Sequence, residues 1–446
     1  MRRLAAGAAM LALSVGGAWL APAVARAAST DFGPVTAKAT FEVGIDLSEP
    51  ATMPAGVRRV EALVRTGSDD TSSVADVSPT PPAGATTLRY HLALAAGALI
   101  PNTLVRLQFR VTLADGTRED GPVASVRYED TRFAWKTLTG TIVTVHWIDG
   151  NNAFGRRALA IGEKAIADAS KLLGVTETDP IDFFIYSDTT AFRDVLGPGT
   201  RENVGGVAFP DIRTLLANIG PGSVDDPWVA IVIPHELTHL VFDTATQNPY
   251  HGPPHWLNEG LAVYLSQGFD SGDRGAVADA ARGGSLMPLP ALTGQFPTTS
   301  DRFSLAYAES VSAIDFMVRT YGQSALVQLI RSYHDGRTDD EAFAAALRVD
   351  VAGFEAAWVA DLGTSEPRAA GPQPAPAGPL PAGWEGAGAT PGAVPAESPA
   401  ASPGGGGSVS SLLATGVATA LVAFLGIGLL AIAMRRRRRP PAQPLE

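Results

Sequence analysis

The chain has 446 residues, of which 46% are hydrophobic and 18% are charged. This composition is typical of a folded protein with more than one domain, and it excludes an intrinsically disordered chain. There is no cysteine in the sequence, which excludes disulfide bonds and thiolate metal ligands. A formal net charge of −11 argues against nucleic-acid partners, because proteins that bind nucleic acids present basic surfaces.

Both ends of the chain carry signals for export and membrane insertion. Residues 1–27 contain two early arginines, an apolar run and a final Ala25-Arg26-Ala27, a pattern typical of a signal peptide. Residues 412–434 contain no charge and are long enough to cross a bilayer once. The basic segment 435–446 follows directly and is predicted to stay in the cytoplasm. The sequence therefore predicts a single-pass protein of the cell membrane whose N-terminal ectodomain lies outside the cytoplasm.

Residues 28–130 show the alternation of apolar and polar side chains that is typical of β-strands. The clearest run has apolar side chains at every second position, at Val105, Leu107, Phe109, Val111 and Leu113. Asp115-Gly116 then indicates a hairpin turn. Similar short runs occur over 41–47, 60–64, 88–94 and 123–128. Five or more such strands predict a small β-sandwich of immunoglobulin-like type.

Residues 131–364 are predicted to form a second domain, which makes the fold class α+β. Four strands of a mixed sheet are predicted over 141–148, 181–186, 205–209 and 214–219. Between the first two, the pattern predicts a helix over 154–173 that ends at Gly174. Asp225, Asp226 and Pro227 resemble the capping residues at the start of a further helix.

The later part of this domain is rich in alanine and predicts a helical C-terminal part. Its clearest helices are predicted over 307–321, 339–347 and 351–362. Residues 365–411 are rich in proline, alanine and glycine, which is typical of a linker. We therefore expect a catalytic or binding domain that is held away from the membrane.

The sequence His235-Glu236-Leu237-Thr238-His239 is the motif that carries chemistry. Positions i and i+4 of a helix share one face, so the imidazoles of His235 and His239 are expected to converge. Glu259, on a second predicted helix that opens with two prolines, supplies a carboxylate. Two imidazoles and one carboxylate form a catalytic zinc set, because the fourth tetrahedral position stays open for water. Glu236 is then expected to take the proton of that water.

One local feature conflicts with this helix. Pro234 directly precedes His235, and a proline inside a helix removes a backbone hydrogen bond. The helix is therefore expected either to start near Ile233 or to bend just before the ligands.

The motif residues resemble those of known metallopeptidases. HELTHLVFD at 235–243 resembles the zinc helix of thermolysin-type enzymes, and WLNEGLA at 256–262 resembles the ligand-bearing helix of gluzincin aminopeptidases. The stretch 133–363 is most similar to the bacterial peptidase MA family. The resemblance implies a gluzincin-type zinc metallopeptidase domain with one zinc ion per chain. It also implies a peptide or protein substrate, which the predicted location places in the cell envelope.

The resemblance further implies a tyrosine or histidine that stabilises the oxyanion of the reaction. Tyr307 is the candidate for this role, with His251 and His255 as the alternatives. Asp243 lies at i+4 from His239 and is interpreted either as a residue that orients an imidazole or as a solvated carboxylate at the helix end.

The strand at 205–209 precedes the first ligand by about the interval at which gluzincin aminopeptidases place their substrate-binding strand. Those enzymes have an acidic residue there that captures a free amino terminus, whereas GGVAF contains none. The difference favours an endopeptidase, although the nearby Glu202 leaves exopeptidase activity as the alternative. Two other hypotheses remain: a catalytically decayed envelope scaffold, and a zinc hydrolase of a non-peptide amide. The presence of Glu236 beside all three ligands favours an enzyme.

Overall fold

A computed structural model of the protein describes residues 29–68, 71–198, 204–248 and 251–365. The predicted signal peptide, membrane span and basic tail lie outside the described residues, as does all but the first residue of the predicted linker. Within the four described ranges, no helix is both long and apolar enough to cross a bilayer.

The described residues before position 130 form two antiparallel sheets. The first sheet consists of β1 (Asp31–Phe32), β2 (Thr36–Thr40), β3 (Gly44–Met53) and β6 (Gly84–Ala93), with β3 paired to the other three. The second consists of β4 (Val57–Thr66), β5 (Ser73–Asp76), β7 (Leu104–Leu113), β8 (Arg118–Asp120) and β9 (Ala124–Arg127), with β4 and β7 at its centre. The immunoglobulin-like topology stays a prediction.

Alternation along the strands builds the core between these sheets. Every second side chain of β7 from Val105 to Leu113 is buried, as the sequence predicts. Gly116 follows β7 with a φ of +89°, so the predicted turn residue does adopt the left-handed conformation that favours glycine. On β3 the same alternation places Glu49 among the inward-facing side chains, fully buried.

The second domain contains a five-stranded mixed sheet in the order β10-β11-β12-β14-β13, which confirms the predicted mixed sheet. Its strands are β10 (Lys136–Thr139), β11 (Val143–Trp147), β12 (Ile181–Tyr186), β13 (Gly206–Phe209) and β14 (Thr214–Asn218). The three central strands are parallel, and the outer strands β10 and β13 run antiparallel to their neighbours. β13 is therefore an edge strand of this sheet.

Both faces of this sheet are covered, and the two domains share a core as a result. Phe183 and Leu215 join the cluster formed with the helices. Tyr186 and Leu216, on the same two strands, join the cluster formed with the N-terminal sheets. At the junction, the hydroxyl of Tyr186 donates to Oδ2 of the buried Asp130 at 3.2 Å. The N-terminal sheets, together with the helix Thr189–Leu196, thus pack on the face of the mixed sheet opposite the other helices.

Helices make up most of the remaining described chain. They are α1 (Asn152–Leu173), α2 (Thr189–Leu196), α3 (Val229–Thr246), α4 (His255–Ser266), α5 (Ser271–Gly283), α6 (Ser300–Tyr321), α7 (Gln323–His334), α8 (Asp339–Leu347) and α9 (Val351–Asp361). α1 ends at Gly174 in the left-handed conformation, as predicted. The predicted helices over 307–321, 339–347 and 351–362 correspond to α6, α8 and α9.

The predicted start of α3 was wrong. The helix begins at Val229 with no side-chain cap, because the candidate caps have other partners. Asp225 accepts from Arg157 Nε at 2.7 Å, and Asp226 accepts from the indole N–H of Trp228 at 3.4 Å. The helix then continues through Pro234, so its start near Ile233 is also excluded.

Candidate metal centre

The side chains of His235, His239 and Glu259 converge between α3 and α4. Oε2 of Glu259 lies 3.4 Å from Nε2 of His235 and 3.7 Å from Nε2 of His239. One ligand atom from each of the three residues lies within 4.8 Å of the other two. All three residues are buried. The structure therefore brings together the three ligands that the sequence predicts.

The spacing and the hydrogen bonds of this group fit a metal ion. Two ligands at about 2.0–2.1 Å from a tetrahedral zinc ion stand roughly 3.3–3.4 Å apart. The distances from Glu259 to the two imidazoles are close to this value. In addition, Nε2 of His239 is buried and makes no hydrogen bond. A buried nitrogen lone pair without a hydrogen bond is costly unless another group binds it.

The position of Glu259 depends on how closely α4 approaches α6. Gly260 follows the ligand and faces the backbone of Ser310 on α6; a Cβ built on Gly260 would lie only 2.5 Å from Ser310 O. Only glycine allows two helix backbones to come this near. The close contact with α6 thus sets the depth at which α4 presents Glu259 to α3.

Burial and neighbouring charges set the protonation states of these ligands. Burial lowers the pKa of His235 to about 4, which leaves the imidazole neutral at physiological pH. Burial alone would raise the pKa of Glu259, but the facing imidazoles of His239 and His235 outweigh it and bring the pKa to about 2. A neutral imidazole and an ionised carboxylate are the forms that bind metals.

Glu236 reaches the edge strand β13. The backbone N–H of Ala208 donates to Oε2 of Glu236 at 2.8 Å, while Oε1 is buried without a hydrogen bond. Burial, and next the charge of Glu259, raise the pKa of Glu236 well above its usual value. A carboxylate with one anchored oxygen and one free oxygen, and with a raised pKa, is suited to receive a proton.

The imidazole of His239 is oriented by Asn258 and not by Asp243. Nδ1 of His239 lies 2.8 Å from Oδ1 of Asn258. Asp243 instead lies in the field of Asp211 and Arg213, and burial raises its pKa to about 6. Asn258 directly precedes the ligand Glu259, so the sequence places it near the metal centre. Its contact with His239 on α3 could not be predicted from the sequence.

The three candidates for oxyanion stabilisation lie in different places. The ring of Tyr307, on α6, lies 6.4 Å from the ring of His235 between centroids, so this residue borders the metal centre. His255 also borders it, with Nε2 at 3.5 Å from Oε1 of Glu259. His251 does not belong to the site, because its Nε2 pairs with Oδ1 of Asp339 at 3.0 Å.

Residues 161–363 match the model of the peptidase MA superfamily. Over these residues the chain is similar to the peptidase MA superfamily. The peptidase MA region contains α3, α4 and all four residues of the motif, and the protein is a hydrolase of the zinc metallopeptidase class. No curated protein matches the chain.

Among solved structures, the chain is similar to an M1 zinc metallopeptidase from Deinococcus radiodurans. The identity is 14%, the alignment covers 78% of this chain and 95% of that one, and the TM-score is 0.36. It is also similar to an aminopeptidase N family protein from Idiomarina loihiensis. In that case the identity is 10%, the coverage is 69% of this chain and 70% of the other, and the TM-score is 0.33.

Proposed function

We propose that the protein is a zinc endopeptidase that is anchored in the cell membrane and cleaves peptides or proteins outside the cytoplasm. The observation that carries the proposal is the placement of Glu236 beside the three ligands, with Oε2 anchored by the Ala208 amide. The location rests on the predicted signal peptide and membrane span, residues 1–27 and 412–434.

The four residues divide the chemistry between them. His235, His239 and Glu259 would hold the zinc ion, which when bound supplies a Lewis acid that lowers the pKa of a coordinated water. Glu236 accepts the proton of the attacking water at Oε1 and delivers it to the amine nitrogen that leaves. Tyr307, at the border of the site, is our candidate donor to the oxygen that develops negative charge.

The edge strand β13 supports cleavage within chains. Its outer edge lies beside Glu236, and an extended peptide can add to such an edge through backbone hydrogen bonds. None of its residues, Gly206 to Phe209, is acidic, so this strand offers no carboxylate to capture a free amino terminus. Glu202, the other residue considered for that role, lies outside the described residues.

A comparison of the wild type with Glu236→Gln, both full-length and purified in detergent, tests the proposal. We expect one zinc ion per chain in both proteins, and cleavage of internal bonds in a peptide library by the wild type only. The variant should be slower by about 10²–10⁴-fold, the usual contribution of general base catalysis. Equal, negligible cleavage by both proteins would favour the scaffold hypothesis instead. Cleavage confined to the amino-terminal bond would refute the proposed endopeptidase activity.

A further inference from the structure

His255 is the first residue of α4, one helical turn before Glu259, and its imidazole faces that carboxylate. Nε2 of His255 lies 3.5 Å from Oε1 of Glu259. The other oxygen of Glu259, Oε2, is the one that faces Nε2 of His235 and of His239. The two oxygens of this ligand therefore have different neighbours.

Contacts on the other side hold the His255 imidazole in this position. The backbone N–H of His255 donates to the carbonyl of Thr293 at 2.9 Å. Its ring lies edge-on against Phe296, with 4.6 Å between the ring centroids. The side chain is 22% exposed, but its Nε2 is buried and makes no hydrogen bond. A buried ring nitrogen normally has a partner, and Oε1 of Glu259 is the acceptor toward which it points.

We propose that His255 is a positioning residue of the metal centre. Its Nε2–H donates to Oε1 of Glu259 and leaves Oε2 to the metal ion. The present 3.5 Å is slightly longer than a hydrogen bond, and a small rotation of the imidazole closes the difference. Positions i and i+4 of a helix are neighbours, so the pair needs no other element to form. The inference rests on the metal site of the proposed function.

The physical effect of such a bond is on metal affinity. A carboxylate that rotates freely must lose this freedom when it binds a metal, whereas one with a fixed oxygen has already lost it. Removing the outer hydrogen-bond partner of a ligand typically weakens metal binding about 10–100-fold. His255→Gln keeps a donor near the same place, and His255→Ala removes it.

The experiment measures zinc affinity by competition with a chelator, using the full-length metal-free chain. The proteins are the wild type, His255→Ala, His255→Gln and the control His251→Ala, whose imidazole pairs with Asp339 away from the site. We expect affinity about 10–100-fold lower for His255→Ala, within about threefold of wild type for His255→Gln, and unchanged for His251→Ala. The thermal midpoint of each metal-free protein shows whether it is folded.

Two outcomes would overturn the inference. If His255→Ala binds zinc as tightly as the wild type, His255 does not position Glu259. If His255→Gln is as weak as His255→Ala and the visible spectrum of the cobalt-substituted protein changes, His255 is itself a metal ligand. Failure of the proposed function looks different, since the wild type itself would then bind no zinc or cleave no peptide.

Discussion

Gly260→Ala would test whether the close contact between α4 and α6 fixes the metal ligand. A methyl group on Gly260 would lie 2.5 Å from Ser310 O and 2.7 Å from Ser310 C. Ordinary contact begins near 3.4 Å, so α4 would have to move by ~0.9 Å. Overpacking of this kind typically costs about 1–3 kcal/mol of unfolding free energy. Helix propensity alone predicts the opposite sign, because alanine favours a helix over glycine by about 1 kcal/mol.

The same movement reaches the active site, since Glu259 is the adjacent residue. A displacement of about 1 Å at a catalytic group can cost about 10²-fold in rate. We therefore expect Gly260→Ala to lose about 1–3 kcal/mol of unfolding free energy and to bind zinc more weakly. Its kcat/KM should be reduced by about 10²-fold.

Denaturant unfolding, chelator competition and peptide hydrolysis measure these three effects. The matched control is Gly275→Ala in α5, where a built Cβ has no atom within 4 Å. It should gain about 0.5–1 kcal/mol and leave zinc affinity and activity unchanged. The reasoning is refuted if Gly260→Ala is stabilised like the control, with wild-type zinc affinity and activity.

Three further predictions concern polar side chains. Glu49 is fully buried and burial raises its pKa to about 7. The folded state therefore keeps the proton of Glu49 at pH values above ~4.5, where the unfolded state releases it. The contribution of Glu49 to the unfolding free energy is complete at acidic pH and falls by about 1.4 kcal/mol per pH unit as the pH rises to 7. Relative to wild type, Glu49→Gln should gain unfolding free energy between pH 5 and 8 in denaturant titrations, and a difference independent of pH would contradict this. Asn258→Ala removes the partner of His239 Nδ1, so zinc affinity measured by chelator competition should fall about 10–100-fold, and an unchanged affinity would exclude the orienting role. Asp130→Ala removes the acceptor of the buried Tyr186 hydroxyl and of two guanidinium N–H groups of Arg132. It should lower the unfolding free energy by about 1–3 kcal/mol, and a loss below about 0.5 kcal/mol, the usual effect of a surface substitution, would contradict this.

The ligands and the strands were accessible to sequence reasoning because both depend on local periodicity. His235 and His239 lie one helical turn apart whatever the rest of the fold does, and the alternating side chains of β7 determine which of its faces is buried. Helix ends were harder to predict. The N-terminus of α3 was misplaced because the side chain of Asp225 pairs with Arg157 and so does not cap the helix.

Sequence alone thus determined which residues could bind a metal and supply a base, and that apolar strands precede the helices. Tertiary structure decided which neighbours contact them: the Ala208 amide for Glu236 and Asn258 for His239. It also decided that the two domains share the mixed sheet. These contacts join elements that are far apart along the chain, so they depend on how the helices and sheets pack, and side-chain spacing along one element contains no record of that packing.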